Sequence, residues 1–181
     1  EELKKNVIKE IFSNYQKLDW LPDFTQHETL DELVMATARE KKRLDNDNEE
    51  ISLEDKNKAL QTLIKDAQGE RFDKEIEALE HDKPVPARSN IVKLNPFLDS
   101  DKVLRCWTRL QDAPIPESSA KPILLPKDHD LTTKVIKNEH DKTRHAYGVD
   151  YTLSEVRKKY WIPSGRQQIK KILKNCRQCK I

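Results

Sequence analysis

Hydrophobic residues recur at helical spacing in the N-terminal part of the chain. Residues 1–24 predict a short amphipathic helix that ends before the turn beginning at Trp20. Residues 29–43 predict a second helix with one apolar side, and the polar run at residues 45–50 predicts the loop that follows it.

A third and longer helix is predicted over residues 52–80. Ser52 and Asp55 have the spacing of a helix N-cap and its partner, and an apolar stripe follows them. Gly69 weakens the middle of this helix, but the helical spacing resumes after it. We expect the stripe to pack on the 29–43 helix and against a second copy of the chain.

Further along, the spacing changes from helical to alternating. The prolines at residues 83–86 predict a linker, because proline does not fit a helix interior. Residues 90–98 and 102–110 predict two strands joined by a tight turn. Residues 122–125 predict a third strand, reached through the proline-rich loop 113–117. These segments are expected to form a small antiparallel sheet.

Helical spacing returns in the last fifty residues, where three short helices are predicted. Asp130 is placed to cap the first of them. Thr152 with Glu155, and Ser164 with Gln167, have the spacing of capping boxes for the second and the third.

Two histidines and two cysteines frame these three helices. His140 and His145 have four residues between them, Cys176 and Cys179 have two, and thirty residues separate the pairs. Zinc takes four nitrogen or sulfur ligands in a tetrahedron, and two imidazoles with two thiolates leave the site neutral. Helix geometry places His140 near a helix end and His145 in the turn beyond it. The pattern predicts a structural Zn²⁺ site.

These residues also allow interpretations other than zinc. A CxxC pair also occurs in redox proteins, and neighbouring histidines are common on polar surfaces. The chain has only three cysteines and five histidines, however, and half of these eight residues stand in metal-ligand spacing. A zinc hydrolase is disfavoured because four protein ligands leave no open position for water. The distance of His129 from His140 favours a capping or surface role for His129 over ligation.

The order His-x4-His-x30-Cys-x2-Cys resembles the zinc-binding HHCC domain at the N-terminus of retroviral and retrotransposon integrases. The flanking words ILLPKDHDLT and TLSEVRKKYWIPSGRQQIKKILKNCRQC are similar to the BEL/Pao class of retrotransposons. The likeness extends upstream through NPFLDSDKVLRCWTRLQDAP, where the predicted sheet resembles the N-terminal extension domain of some integrases. RCWTRL at residues 105–110 departs from the RVGGRL common in the family, so contacts at Trp107 and Thr108 are expected to differ.

The resemblance implies a non-catalytic portion of an integrase that contacts the DNA ends of the element and helps multimers form during DNA integration. Strand transfer needs carboxylates that hold two metal ions, and in the family these lie in a core after the zinc domain. The parent integrase would be a polynucleotidyl transferase, but this chain is not expected to be an enzyme. The alternative is a domesticated integrase-derived module that binds a host protein, which Trp107 and the acidic helices favour.

Charge is unevenly distributed along the chain, although the formal net charge is only +2. Residues 131–181 hold thirteen Lys and Arg against four Asp and Glu, and the rest of the chain is acidic. This asymmetry is expected where nucleic acid contacts the basic part, while a solvated helix face accounts for the charge alone equally well. Helix-turn-helix geometry would bring the third helix to a DNA groove, whereas the resemblance implies a looser contact. The candidate nucleic-acid-binding residues are Arg157, Lys158, Lys159, Arg166, Lys170, Lys171 and Lys174.

Composition bears on how the chain packs and on the compartment in which it works. With 35% hydrophobic and 36% charged residues, we expect an extended arrangement of small units and no single compact core. Three cysteines, two of them assigned to zinc, predict a reducing intracellular compartment, and DNA as partner points to the nucleus. Cys106 is expected to be a small buried apolar residue. No apolar run is long enough for a membrane span, and a start at EELKK with Met35 as the only methionine suggests a fragment of a longer protein.

Together these patterns predict an α+β fold that is mostly α. Residues 1–82 are expected to form a helical segment, 83–127 a small antiparallel β extension, and 128–181 an integrase-type zinc-binding helical domain.

Overall fold

The computed structural model describes residue 20 and residues 23–109 and 114–180. The helix predicted within residues 1–24 lies outside this part of the chain. Six α-helices and four short strands are present in the described residues, which confirms the α+β class. The helices are α1 (Leu30–Leu44), α2 (Leu53–Glu80), α3 (Glu117–Ala120), α4 (Asp130–Lys142), α5 (Val149–Arg157) and α6 (Gly165–Lys174), and the strands are β1 (Pro96–Leu98), β2 (Leu104–Cys106), β3 (Ile123–Leu124) and β4 (Tyr160–Trp161).

The two N-terminal helices begin at capping boxes. The side chains of Thr29 and Ser52 each accept the backbone N–H of the third helical residue. The carboxylate of that residue in turn accepts the backbone N–H of the cap residue. For α2 that residue is Asp55, as predicted. Helix α2 continues past Gly69, also as predicted, but its backbone departs from helical geometry at Phe72, with φ −127° and ψ 27°. The kink therefore lies three residues beyond the glycine.

The apolar stripe of α2 packs on α1, which confirms the predicted helical pair. Ala59, Leu63 and Ala67 of α2 are completely buried, and so is Leu33 of α1. Full burial of a leucine side chain contributes about 1.5–3 kcal/mol. The stripe is covered within the chain, and its predicted packing against a second copy stays a prediction.

The same hydrophobic cluster continues into the C-terminal helices. The expectation of small units without a common core is wrong, because short helices from both parts of the chain bury their apolar sides against one another. The three predicted segments therefore share a core, and their boundaries remain predictions. The C-terminal members of the cluster are Leu125, Leu131, Val135, Ile136, Val156, Tyr160, Ile162 and Ile169.

A small mixed sheet follows α2, with the strand order β1-β2-β3-β4. The first three strands are antiparallel, as predicted, but β4 comes from between α5 and α6 and pairs parallel to β3. Its two residues are too few for alternation to reveal a strand. The predicted strands are also too long: residues 92–94 form a 3₁₀ turn, and Asn95 is left-handed with φ 46°, so β1 begins only at Pro96.

The connections near the sheet agree in most respects with those predicted from the sequence. Residues 83–86 form neither helix nor strand, which confirms the linker. The turn between β1 and β2 is held by Asp99, whose Oδ1 accepts the N–H groups of Asp101 and Val103 at 3.0 and 2.8 Å. The proline-rich loop is shorter than predicted, because Glu117 already belongs to α3. Within the described residues, no helix has both the length and the apolar character needed to cross a membrane.

Gln68 ties α2 to the sheet from inside the core. β2 and β3 pair at a single position, Arg105 with Ile123. Beside that position the Gln68 amide donates to the carbonyl oxygens of Leu104 and Leu124 at 2.8 and 2.7 Å and accepts the Leu104 N–H at 2.9 Å. One completely buried side chain thus satisfies three backbone groups that the short strands leave open. This role of Gln68 was not predicted, because the residue lies within an apolar stripe of the sequence.

Replacing Gln68 with methionine keeps the volume and removes all three hydrogen bonds. Since each buried backbone group left unsatisfied costs about 1–3 kcal/mol and three groups are affected, we expect Gln68→Met to lower the free energy of unfolding by about 3 kcal/mol or more. Gln61→Met is the matched control, because Gln61 is partly exposed on the same helix. Urea denaturation of both variants measures the difference, and equal stabilities would show that the amide does not hold the sheet.

Candidate metal centre

The four predicted ligands meet at the C-terminal ends of α4 and α6. His140 lies in the last turn of α4 and is 3% exposed, and His145 follows in the turn after the helix. Cys176 lies just beyond α6, and Cys179 lies in the 3₁₀ turn of residues 178–180. One ligand atom from each of the four residues lies within 4.8 Å of the others. These positions agree with the sequence prediction for both pairs.

A tight reversal of the chain brings the second histidine back to the first. Thr143 is the C-cap residue of α4, and its hydroxyl donates to the His140 carbonyl oxygen at 2.7 Å. Arg144 and His145 then take left-handed conformations, with φ 51° and 61°. Such a backbone costs a non-glycine residue about 1–2 kcal/mol. Its effect is to place the two imidazole rings edge to face, with their centroids 4.6 Å apart.

The shortest contacts identify which atoms point inward. The Nε2 atom of His140 lies 3.1 Å from the Sγ atom of Cys179, and the Nδ1 atom of His145 lies 3.4 Å from the Sγ atom of Cys176. The outer nitrogen of His145, Nε2, lies 3.5 Å from a carboxylate oxygen of Asp141. A carboxylate on the far nitrogen of a metal-binding histidine orients the ring and fixes its tautomer. Asp141 was not predicted from the sequence, although its spacing of four residues from His145 is that of neighbours on one helix face.

Electrostatics favour the protonation states that a metal requires. Burial, and then the neighbouring His145 ring, lowers the pKa of His140, so its imidazole stays neutral. Burial works to raise the pKa of Cys176, but hydrogen bonds from Cys179 and the Gln178 backbone outweigh it and lower that pKa. Burial and the Cys176 thiol raise the pKa of Cys179. One thiolate is thus favoured by the protein, and a bound cation supplies the charge that deprotonates the other.

This donor set fits zinc. Two neutral imidazoles and two thiolates make a closed tetrahedral site of zero net charge around Zn²⁺, with no position left for a substrate or a water molecule. His140, His145, Cys176 and Cys179 hold a structural Zn²⁺ ion. Cys106 takes no part, because it is 1% exposed in β2, and burial raises the pKa of its thiol to about 12. It is the small buried residue that the sequence predicted.

His129 is not a ligand but the N-cap of α4. Its Nδ1 accepts the Leu131 N–H at 3.1 Å, and its Nε2 lies 3.3 Å from a Glu70 oxygen. The capping role predicted for His129 is confirmed, whereas the prediction that Asp130 caps this helix is wrong. Asp130 is already the first helical residue, where its charge suits the positive end of the helix dipole. Phe24 packs edge-on against the His129 ring, with centroids 4.8 Å apart.

The capping boxes predicted for the two following helices are not formed. Helix α5 begins earlier than predicted, with Gly148 as N-cap, so Thr152 lies inside it and donates its hydroxyl to the Gly148 carbonyl at 3.1 Å. The box with Glu155 is therefore wrong. Ser164 does occupy the N-cap position of α6, but with φ 55° its side chain makes no capping bond, so the box with Gln167 is absent.

The candidate nucleic-acid residues are all exposed, but they line different surfaces. Arg157, Lys158 and Lys159, at the end of α5, line a groove that also contains Trp107 and Trp161. The other four lie on α6, where Lys171 lines a separate cavity beside Glu70 and His129. Lys158 is paired with Glu155 at 2.6 Å, and Arg166 is paired with Asp150. Their role in binding nucleic acid remains a prediction.

Comparison with known families identifies the C-terminal third of the chain. A family model described as the integrase zinc binding domain matches residues 127–181, the segment that contains all four ligands. The match supports an integrase-type zinc-binding module and leaves the retrotransposon class open. Comparison with curated proteins and with solved structures gave no significant match.

Removing one thiolate tests the metal centre. We expect Cys176→Ser to lose zinc and to raise amide exchange in α4, α5 and α6, because three helices of 9–13 residues are too short to be stable alone. The α1–α2 pair should keep more of its protection. Cys106→Ala is the control, since it also removes a thiol but should retain one zinc ion per chain. Metal analysis and hydrogen exchange give the result, and full zinc content in Cys176→Ser would contradict the ligand assignment.

The surroundings of His129 predict how the stability of the fold depends on pH. Burial lowers its pKa below the usual 6.5, against the raising effect of Glu70 and Asp130, and Arg71 lowers it further. The unfolded chain therefore binds the proton more readily than the folded chain. The stability contributed by neutral His129 is complete above about pH 6.5 and is lost as the pH falls, by at most about 1.4 kcal/mol per pH unit.

His129→Asn provides the comparison, because asparagine is a good N-cap that does not titrate. We expect the advantage of the wild-type protein in free energy of unfolding to shrink as the pH falls below about 6.5. The zinc centre is the same in both proteins, so the difference between the two denaturation series isolates His129. Parallel pH profiles would show that this residue is not protonated on unfolding.

Proposed function

We propose that this chain is the non-catalytic N-terminal portion of a BEL/Pao-type retrotransposon integrase, in which zinc-held helices bind DNA and support multimerisation during integration. The observation that carries the proposal is the row of basic side chains on the outer face of α6. This helix has four basic residues and no acidic one over residues 165–174. The basic side chains are exposed, whereas Ile169 on the opposite side is completely buried.

The metal centre gives this face a fixed orientation. Zinc binds just beyond the C-terminal end of α6, and the inward side of the helix belongs to the shared core. A rigid helix presents its cations together, so it loses less conformational freedom when it meets a phosphate backbone. Contacts of this kind position a protein on DNA without reading its sequence. They suit a module that contacts element ends in the nucleus.

Self-association is supported by a second feature, at the tip of the α1–α2 pair. Leu44, the last residue of α1, is 51% exposed, and Leu53, the first residue of α2, is 75% exposed. The apolar stripe of α2, which runs from this tip toward the core, is covered by other residues of the same chain. If copies of the chain associate through these helices, the tip is the part that remains available to them.

A host-protein interaction is the second candidate, favoured by two tyrosines beside the metal centre. Tyr147 and Tyr151 stack with their ring centroids 4.2 Å apart, and they are 53% and 41% exposed. Aromatic side chains of this kind are enriched in the centres of protein interfaces. This surface would serve a domesticated module whose zinc fold binds a protein partner in place of DNA.

Charge reversal on α6 distinguishes the two candidates. We expect the triple variant Lys170→Glu, Lys171→Glu and Lys174→Glu to abolish binding to duplex DNA and to keep its zinc, because none of the three is a ligand. In the wild-type protein, three to five phosphate contacts predict a slope of about −0.9 per contact in log affinity against log salt. A fourfold rise in salt should then weaken binding by about 40- to 500-fold.

The control reverses three exposed lysines elsewhere, at Lys56, Lys74 and Lys83, and so changes the net charge equally. Gel-shift titrations at two salt concentrations compare the three proteins. The DNA-binding proposal predicts that only the α6 variant loses binding. Equal losses in both variants would mean that binding follows net charge alone, and undetectable wild-type binding at low salt would favour the protein-interaction module.

A further inference from the structure

A groove of about 870 Å³ lies where the end of β2, the 115–119 segment and the residues between α5 and β4 meet. Two tryptophans line it, Trp107 beyond β2 and Trp161 in β4. Trp107 is one of the residues, with Thr108, at which the sequence departs from the pattern of the family it resembles, and it is 40% exposed. No part of the zinc centre or of α6 contributes to the lining.

The charged residues that the structure describes in the lining of the groove are all of one sign. Five of its lining residues are cations, and none of the described lining residues is a carboxylate. This contrasts with the cavity beside His129, which mixes cations with Asp23, Glu70, Asp128 and Asp130. One groove cation, Lys158, is paired with Glu155, which is not among the lining residues. The cations are Lys93, Arg109, Arg157, Lys158 and Lys159.

The aromatic rings already bind cations on their faces. The guanidinium carbon of Arg157 lies 5.2 Å from the centre of the Trp161 ring, and the Lys121 ammonium lies 4.9 Å from the centre of the Trp107 ring. Phe97 packs against Trp107 with the two rings tilted by 34° and their centroids 5.1 Å apart. Both tryptophans are thus held in place, and a nucleobase stacks on a held ring or on a guanidinium plane with little loss of conformational freedom.

We propose that this groove binds a single nucleic-acid strand, with unpaired bases stacked on Trp107 and on the Arg157–Trp161 pair and phosphates held by the surrounding lysines and arginines. Aromatic rings interleaved with cations are the features of surfaces that hold single strands. A duplex does not fit this chemistry, because neighbouring base pairs stack on one another and cover the faces of the bases. The proposal deepens the proposed function, since it adds a site for unpaired bases to the duplex contact assigned to α6.

Two sources supply unpaired bases, a free single strand and the frayed or overhanging end of a duplex. Fluorescence anisotropy with labelled oligo-dT, a blunt duplex and the same duplex with a single-stranded overhang separates them. We expect oligo-dT to bind and the overhang to bind more tightly than the blunt duplex. Because stacking on one aromatic ring contributes a factor of about 5–100 in affinity, Trp107→Ala should weaken binding to oligo-dT by that factor. Trp107→Phe, which keeps a ring, should retain most of it.

Two further variants control for folding and for aromatic content. Lys93 is an exposed groove cation in the 3₁₀ turn of residues 92–94, so Lys93→Glu should leave the fold intact and lower the salt slope for oligo-dT by about one. Tyr147→Ala removes an exposed ring outside the groove and should leave oligo-dT binding unchanged. Zinc content and circular dichroism verify that each variant is folded.

The outcomes separate this proposal from the proposed function. If duplex DNA binds through α6 but Trp107→Ala and Lys93→Glu bind oligo-dT as the wild type does, the groove proposal is overturned and the duplex proposal stands. If oligo-dT binding depends on Trp107 while duplex binding is undetectable, the groove proposal stands alone. No binding of oligo-dT at low salt overturns it outright.

Discussion

The requirement that four ligand atoms converge on one ion governs the C-terminal third of this protein. The helices α4, α5 and α6 have only 9 to 13 residues each, too few to be stable on their own. Ligation joins the ends of α4 and α6 and holds the left-handed turn at His145. With their ends joined, the helices can bury one side in the core and leave the other side, including the cations of α6, in solvent.

The zinc-held helices do not stand apart from the rest of the chain. Their apolar residues continue the cluster formed by α1 and α2, and β4 adds a parallel strand to the sheet beside β3. Gln68 completes this connection by linking α2 to Leu104 and Leu124 in neighbouring strands. A chain with modest hydrophobic content thus obtains a common core, because each short element contributes one apolar side and the metal and one buried amide fix their positions.

This arrangement also divides the basic residues between two surfaces with different chemistry. The outer face of α6 is a row of exposed cations on a rigid helix, which suits the regular phosphates of a duplex. The groove at the end of α5 combines cations with Trp107 and Trp161, which suits bases that are not paired. The sequence grouped these cations by their proximity along the chain. The fold separates them because the turn at residues 158–159 and strand β4 lie between α5 and α6.

The sequence by itself determined the features that depend on local spacing. The ligands at His140, His145, Cys176 and Cys179, the cap at Ser52 and the length of α2 all follow from intervals of a few residues, which local geometry translates directly into structure. Only the tertiary structure decided the features that depend on contacts between distant segments. β4 exists because β3 lies beside it, and Gln68 is polar in a core because two distant strands leave backbone groups open. No interval along the chain encodes those distances.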